Sequence, residues 1–350
     1  MSRRTLGIIL VSLLLSGLMA CSRLGYYAQS VRGQLGVMAA SQEVDEILDD
    51  PGQPAKLKER LRFSQQLLAY AHEDLGLEND GSYLEYADIG RHFVVWNVVA
   101  TPELSLEPKT WCFMFAGCVP YRGYFEEQDA LDFASELRED GLDVDVYGVP
   151  AYSTLGWLDD PLLNTFLFES DIYLAELIFH ELAHQRLYLK DHGDFNEAFA
   201  VVVARHGADR WISSQDDPVL SRARVQQKYR QKTFFDLFDE TRNHLTELYA
   251  SGQPDSQMLA SKQQLLDAFA VRYRALLQGW GATEGESWLG RGLNNARFAA
   301  AMTYRKLVPA FEALWEQSGE SPRRFYRAAE ELSRLPEVEL QTRLKTLSQR

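Results

Sequence analysis

Hydrophobic positions along this chain change their period several times, and each change marks an element. Between residues 55 and 75, Leu57, Leu61, Leu67 and Leu68 recur at helical spacing, and Gly76 ends the run. Residues 93–100 are β-branched and aromatic with Pro102 just beyond, which predicts a strand. A short strand is also expected at 113–115. Residues 128–140 read as a helix, and residues 143–147 alternate polar and apolar positions as a half-buried strand does. Residues 151–157 are expected to be strand-like as well. Residues 169–189 contain neither Pro nor Gly and carry a broad apolar stripe through Ile172, Leu174, Leu177, Ile178, Phe179, Leu182 and Leu187, the pattern of a helix. The stretch 191–194 breaks it, with Gly193 offering the left-handed conformation that closes many helices. A second helix follows at once over 195–205.

After Gly207 the pattern is almost wholly helical. Residues 222–250 and 256–278 flank a Ser-Gly-Gln-Pro-Asp break, which predicts a long antiparallel helical hairpin with Phe234, Phe235, Phe238, Phe269 and Tyr273 in its core. A Gly-rich loop over 279–286 and helices over 293–317 and 322–335 complete the chain. The fold class is therefore helix-rich α+β, with a helical C-terminal part from about residue 212. With 46% hydrophobic and 25% charged residues, the composition is that of a globular protein with a sizeable core.

The N-terminus carries a different pattern. Arg3 and Arg4 precede an apolar run from Leu6 to Leu18, shorter than the ~20 residues a bilayer requires, so residues 1–20 are expected to be a signal peptide. Leu18-Met19-Ala20-Cys21 looks like a bacterial lipobox, which implies cleavage before Cys21 and acyl chains on its thiol. Ser22, rather than Asp, then favours the outer membrane. Ser2-Arg3-Arg4-Thr5-Leu6 also resembles a twin-arginine export signal. Residues 21–54 are expected to form a lipid-anchored tether and helix, and residues 55–350 the main domain. Loss of two arginines with the signal peptide takes the net charge from −14 to −16, which excludes nucleic acid as a partner and leaves membrane attachment to the acyl chains. In an oxidising compartment Cys112 and Cys118 can close a small disulfide loop.

Candidate chemistry is concentrated in His180-Glu181-Leu182-Ala183-His184. Two imidazoles at i and i+4 project from one helix face and can grip one metal ion. Glu181 leans beside that ion, placed to take a proton from an attacking water. With the second helix folding back, Glu197 can face the histidine pair, and two His plus one Glu is a catalytic zinc pattern. Asp194-x-x-Glu197 also has the spacing of a capping box, in which Glu197 would only satisfy backbone N–H groups.

His180-Glu-x-x-His184 followed by Asn196-Glu197-Ala198 resembles the gluzincin branch of zinc metallopeptidases, which implies a zincin-like core and Glu197 as third ligand. Val201 stands where thermolysin-like members place an Asp that orients a ligating His. The chain more closely resembles the bacterial predicted-aminopeptidase lipoproteins over nearly all of its mature length. The matching stretches are 117–125, 151–157, Asp159-Asp160-Pro161, the metal helix, Phe195-Asn196-Glu197, and Leu293-Asn294-Asn295-Ala296-Arg297. The resemblance implies a zinc-dependent aminopeptidase acting on peptides in the periplasm. Its oxyanion donor is sought among Tyr304, on the helix with Asn294 and Asn295, and Tyr152 and His206. Residues 151–156 would line up the substrate backbone as an edge strand beside the metal. Asp159 and Asp160 are candidates for binding an α-amine. The alternative is a non-catalytic peptide-binding or scaffold lipoprotein on the same fold.

Overall fold

The computed structural model describes residues 25–78, 81–113, 117–152, 159–282, 284–302 and 305–349. Cys21, Tyr304 and most of the strand expected at 151–157 therefore lie outside the described residues, and neither Ala151 nor Tyr152 is in a strand.

A helix over residues 25–40 (α1) leads into a strand, Ser41–Glu43 (β1), and helices Val44–Asp49 (α2) and Ala55–Tyr70 (α3). A wider turn of helix over Ala71–Leu75 continues α3 until Gly76, at φ 69°, closes it. Strands Glu85–Ala87 (β2), Val95–Pro102 (β3), Trp111–Phe113 (β4), Gly117–Val119 (β5) and Arg122–Tyr124 (β6) come next. Helix Glu127–Glu139 (α4), strands Leu142–Val149 (β7) and Leu162–Leu163 (β8), and the short helix Asn164–Leu167 (α5) follow. The remainder is helical: Asp171–Arg186 (α6), Gly193–Ser214 (α7), Pro218–Tyr249 (α8), Asp255–Trp280 (α9), Glu284–Gly290 (α10), Asn295–Met302 (α11), Val308–Gln317 (α12), Pro322–Ser333 (α13) and Glu337–Ser348 (α14). Among the described residues no helix is long and apolar enough to cross a membrane.

Among the described residues three small sheets sit between these helices. In one, β2 pairs antiparallel with β1 and parallel with β8; in another, β3 lies between β6 and β7, antiparallel to both. The third is the β4–β5 hairpin, in which Cys112 faces Cys118 and forms a disulfide with it. Alternation along β3 gives its sheet two buried faces. Val98 and Ala100 pack under α4 against Ala130, Ala134 and Leu137, while Val99 packs on Ala296 and Ala299 of α11. The largest core joins α3, α6, α7, α12 and α13, and takes in Val37, Val44 and Ile47 near the N-terminus. The long α8–α9 hairpin has its own aromatic core, with Phe238, Phe269 and Phe298 fully buried.

Two helical expectations need correction. The run 293–317 is not one helix, because the chain turns at 305–307 and Pro309 sits in the first turn of α12, where its missing N–H is harmless. The expected loop over 279–286 is shorter, because Gly281 closes α9 at φ 63° and α10 begins at Glu284.

The Leu293–Arg297 stretch joins the sheet to the helical region. Arg297 forms a buried ion pair with Asp145 of β7, while Asn294 donates to the Val144 carbonyl at 3.0 Å. Asn295 donates to the Glu103 carbonyl at 2.9 Å, and Lys262 of α9 reaches Asp143 at 2.5 Å. The polar residues of this motif thus serve the junction, not the metal cluster.

Candidate metal centre

Helix α6 starts at Ser170, whose hydroxyl accepts from the Tyr173 N–H at 3.3 Å. Ile172, Leu174, Ala175, Ile178, Phe179, Leu182 and Ala183 are all buried, so the helix is gripped on most of its circumference and cannot roll. His180 and His184, one turn apart, bring their Nε2 atoms to 3.1 Å from one another.

The reversal between α6 and α7 decides where Glu197 points. The left-handed residue there is Asp191, at φ 65°, whereas Gly193 is the first residue of α7 and has no positive φ. This corrects the expectation for Gly193. An aspartate tolerates that region because its short polar side chain can bond locally. Asn196 then clamps the turn, its Oδ1 accepting from the Leu189 N–H at 2.8 Å and its Nδ2 donating to the Leu189 carbonyl at 2.9 Å. Glu197 is left facing the histidines, with Oε2 at 3.3 Å from His180 Nε2 and Oε1 at 3.8 Å from His184 Nε2. A capping role does not describe it. The residue before α7 is His192, which makes no side-chain cap, and Asp194 pairs with Lys306 at 2.8 Å.

One ligand atom from each of His180, His184 and Glu197 lies within 4.8 Å of the others, so one cation can touch all three. The state of these atoms fits such an ion. Glu197 Oε2 is buried and, apart from its 3.3 Å approach to His180 Nε2, has no hydrogen-bond partner, an arrangement that costs free energy unless a charge compensates it. Burial pushes His184 down to about 4, so its imidazole is neutral at pH 7. Burial also acts to lower His180, but donation of its ring N–H to the Glu197 carboxylate and the charges of Glu181 and Glu197 outweigh it and raise the group. Glu197 is lowered, its two histidine partners outweighing desolvation. Glu181 goes the other way: desolvation raises it to about 7, with His180 opposing and Glu197 and Asp160 adding. Val201, one turn beyond Glu197 on the same helix, packs against the apolar core.

A cavity of about 390 Å³ lies over the cluster, floored by His180, Glu181, His184 and Glu197. Its walls come from distant segments. Tyr26 and Ser30 belong to α1, Val95 and Val149 to the central sheet, and Phe113 and Val119 to the disulfide hairpin. Tyr121 also lines it, in the turn between β5 and β6, and no periodic signal in the sequence marked this residue out. Burial pushes its phenol well up, and the charges of Glu197 and Glu181 act in the same direction.

The other candidates are dispersed. Tyr152 lines the cavity, but its hydroxyl is bonded to Gln34. His206 is elsewhere, stacked on Trp315 at 4.4 Å and 2.6 Å from Glu312. Asp159 and Asp160 do not line the cavity. Asp160 is buried under Ser82 and Tyr83, where its carbonyl accepts from the Tyr83 N–H at 2.7 Å.

No curated protein and no solved structure matches the chain. A family match does cover residues 25–344, nearly the whole described body including the metal cluster and every wall of the cavity. The chain belongs to the family described as "Putative aminopeptidase".

Proposed function

We propose that this chain is a zinc-dependent aminopeptidase, held at the outer membrane through Cys21 and hydrolysing peptides on the periplasmic side. The observation that carries the reading is the convergence of His180, His184 and Glu197 on one point, with Glu181 beside them at the floor of a mostly apolar cavity. Two imidazoles and one carboxylate suit zinc, and three protein ligands leave a position open for reaction. Zinc held there would polarise the scissile carbonyl and make an attacking water more acidic.

The residues of the chain divide the remaining work. Glu181 takes the proton from the attacking water and delivers it to the departing amine. The Tyr121 phenol, kept protonated by burial, donates to the carbonyl oxygen as negative charge develops on it. Tyr26, Phe113, Val119 and Val149 offer apolar walls, which favour substrates with an apolar or aromatic side chain next to the scissile bond. Tyr304, seven residues beyond the Leu293–Arg297 stretch that resembles other family members, is the other candidate donor.

Purified protein should carry stoichiometric zinc, lose hydrolysis on chelation and recover it when zinc is restored. A peptide-library digest should show the apolar preference. Zinc-loaded protein that hydrolyses no peptide would leave only the binding or scaffold role.

A further inference from the structure

Helix α1 has two faces of unexpected similarity. Its inner face is locked to the body. Tyr26 stacks under the Arg122 guanidinium at 4.2 Å, Gln29 accepts from the Phe125 N–H at 3.0 Å, and Val37 is fully buried. Gly33 lies so close to the Phe125 ring that a Cβ there would fall 2.0 Å from it. A helix packed this way ordinarily shows polar residues outward. Here Val31 is 59% exposed, Leu35 58% and Met38 48%, with Tyr27, which also borders the cavity, at the same edge. At 100° per residue these four positions fall within one narrow stripe.

The charge pattern is equally unusual. Between residues 22 and 42 there is no Asp or Glu, although the chain as a whole carries a net charge of −14. The charged residues in that interval are Arg23 and Arg32. An apolar outward stripe on a helix without acidic residues suits a lipid surface, and an exposed tyrosine suits the headgroup layer. Cys21, the residue read as the lipid attachment point, lies only four positions before the first described residue, Gly25.

We infer that the outer face of α1 rests on the bilayer, so that the protein is docked through Tyr27, Val31, Leu35 and Met38 and does not swing on a free tether. Because Tyr26 and Ser30 of the same helix wall the cavity, only about one helix diameter, ~10 Å, then separates the cavity from the lipid headgroups. The substrates within reach are peptides at or emerging from the membrane surface. This clause rests on the peptidase reading; the docking itself rests only on the lipid attachment at Cys21.

The test uses the full acylated protein in vesicles of phosphatidylethanolamine and phosphatidylglycerol. Trp is introduced at Val31→Trp, at Leu35→Trp, and at the equally exposed Val271→Trp on α9 as a control. All three positions are solvent-exposed, so the fold tolerates the change. Brominated lipid should remove most of the fluorescence added at positions 31 and 35 and leave that at 271 untouched. Equal emission at all three positions overturns the docking, as does a chain that carries no acyl group and stays off the vesicles. Dimerisation that shields position 31 without any quenching assigns the stripe to a second copy and overturns it too.

Discussion

Glu181 and Glu197 stand beside the same histidine pair, yet their surroundings hold them in opposite states. Glu197 is lowered by the imidazoles that face it, whereas desolvation lifts Glu181 to about 7. A ligand must stay anionic, and a base must exchange protons, so the two carboxylates are not interchangeable. Glu181→Gln keeps the shape but cannot accept the water's proton. Zinc content should be unchanged while hydrolysis falls about 10²-fold or more. Glu197→Gln and His184→Ala should instead lose metal, read by elemental analysis after dialysis. Equal zinc loss in all three variants, with turnover of Glu181→Gln restored at saturating zinc, would refute these roles. Tyr121→Phe should retain zinc and drop kcat by roughly 10²-fold, the size of effect seen when one oxyanion donor is removed. Wild-type turnover in that variant would pass the role to Tyr304.

At the scale of elements, the disulfide hairpin and the sheet–helix junction make separable contributions. The Cys112–Cys118 bond ties together β4 and β5, whose Phe113 and Val119 wall the cavity. Replacing both cysteines by Ser should raise KM for apolar substrates and leave zinc in place, because no metal-cluster residue belongs to the hairpin. The Asp145–Arg297 pair is buried, so Arg297→Met strands a carboxylate and should cost about 3–5 kcal/mol in denaturant unfolding. Adding Asp145→Leu should recover part of that loss. These elements also show what the sequence made legible. α6, α8, α9 and β7 were readable because each keeps one period over enough residues to be distinguished from a turn, and β3 because its residues are β-branched and aromatic. The α11–α12 break was hidden inside an apolar run, where Pro309 is as consistent with a first turn as with a kink. The histidine pair was visible because its ligands share one helix face, and Glu197 because the next helix follows after a short turn. Tyr121 and the cavity walls were not, since α1, the hairpin and β7 meet only through tertiary packing.

At the scale of the whole molecule, the proposed aminopeptidase activity requires the cavity to recognise a peptide's end. An aminopeptidase must recognise an α-ammonium and close its cleft beyond that point. Among the described residues lining the cavity, the carboxylates are Glu181 and Glu197, and both already have roles. An ammonium entering this space meets those two charges and the buried carboxamide of Asn97, within walls contributed by α1 and the hairpin. Mutual attraction between that ammonium and a strongly acidic chain also favours entry amine-first. Peptides with a free N-terminus should therefore be shortened one residue at a time, and their N-acetylated counterparts should resist. Asn97→Leu should raise KM for free-amine peptides more than it lowers kcat, because binding of the amine in the ground state is what the carboxamide supplies. Mass-spectrometric time courses on paired blocked and unblocked peptides distinguish the outcomes. Sequential loss of N-terminal residues from the free peptide alone supports the end-recognising cavity. Cleavage of both peptides at the same internal bonds would reject aminopeptidase action and leave a zinc endopeptidase with the same catalytic residues.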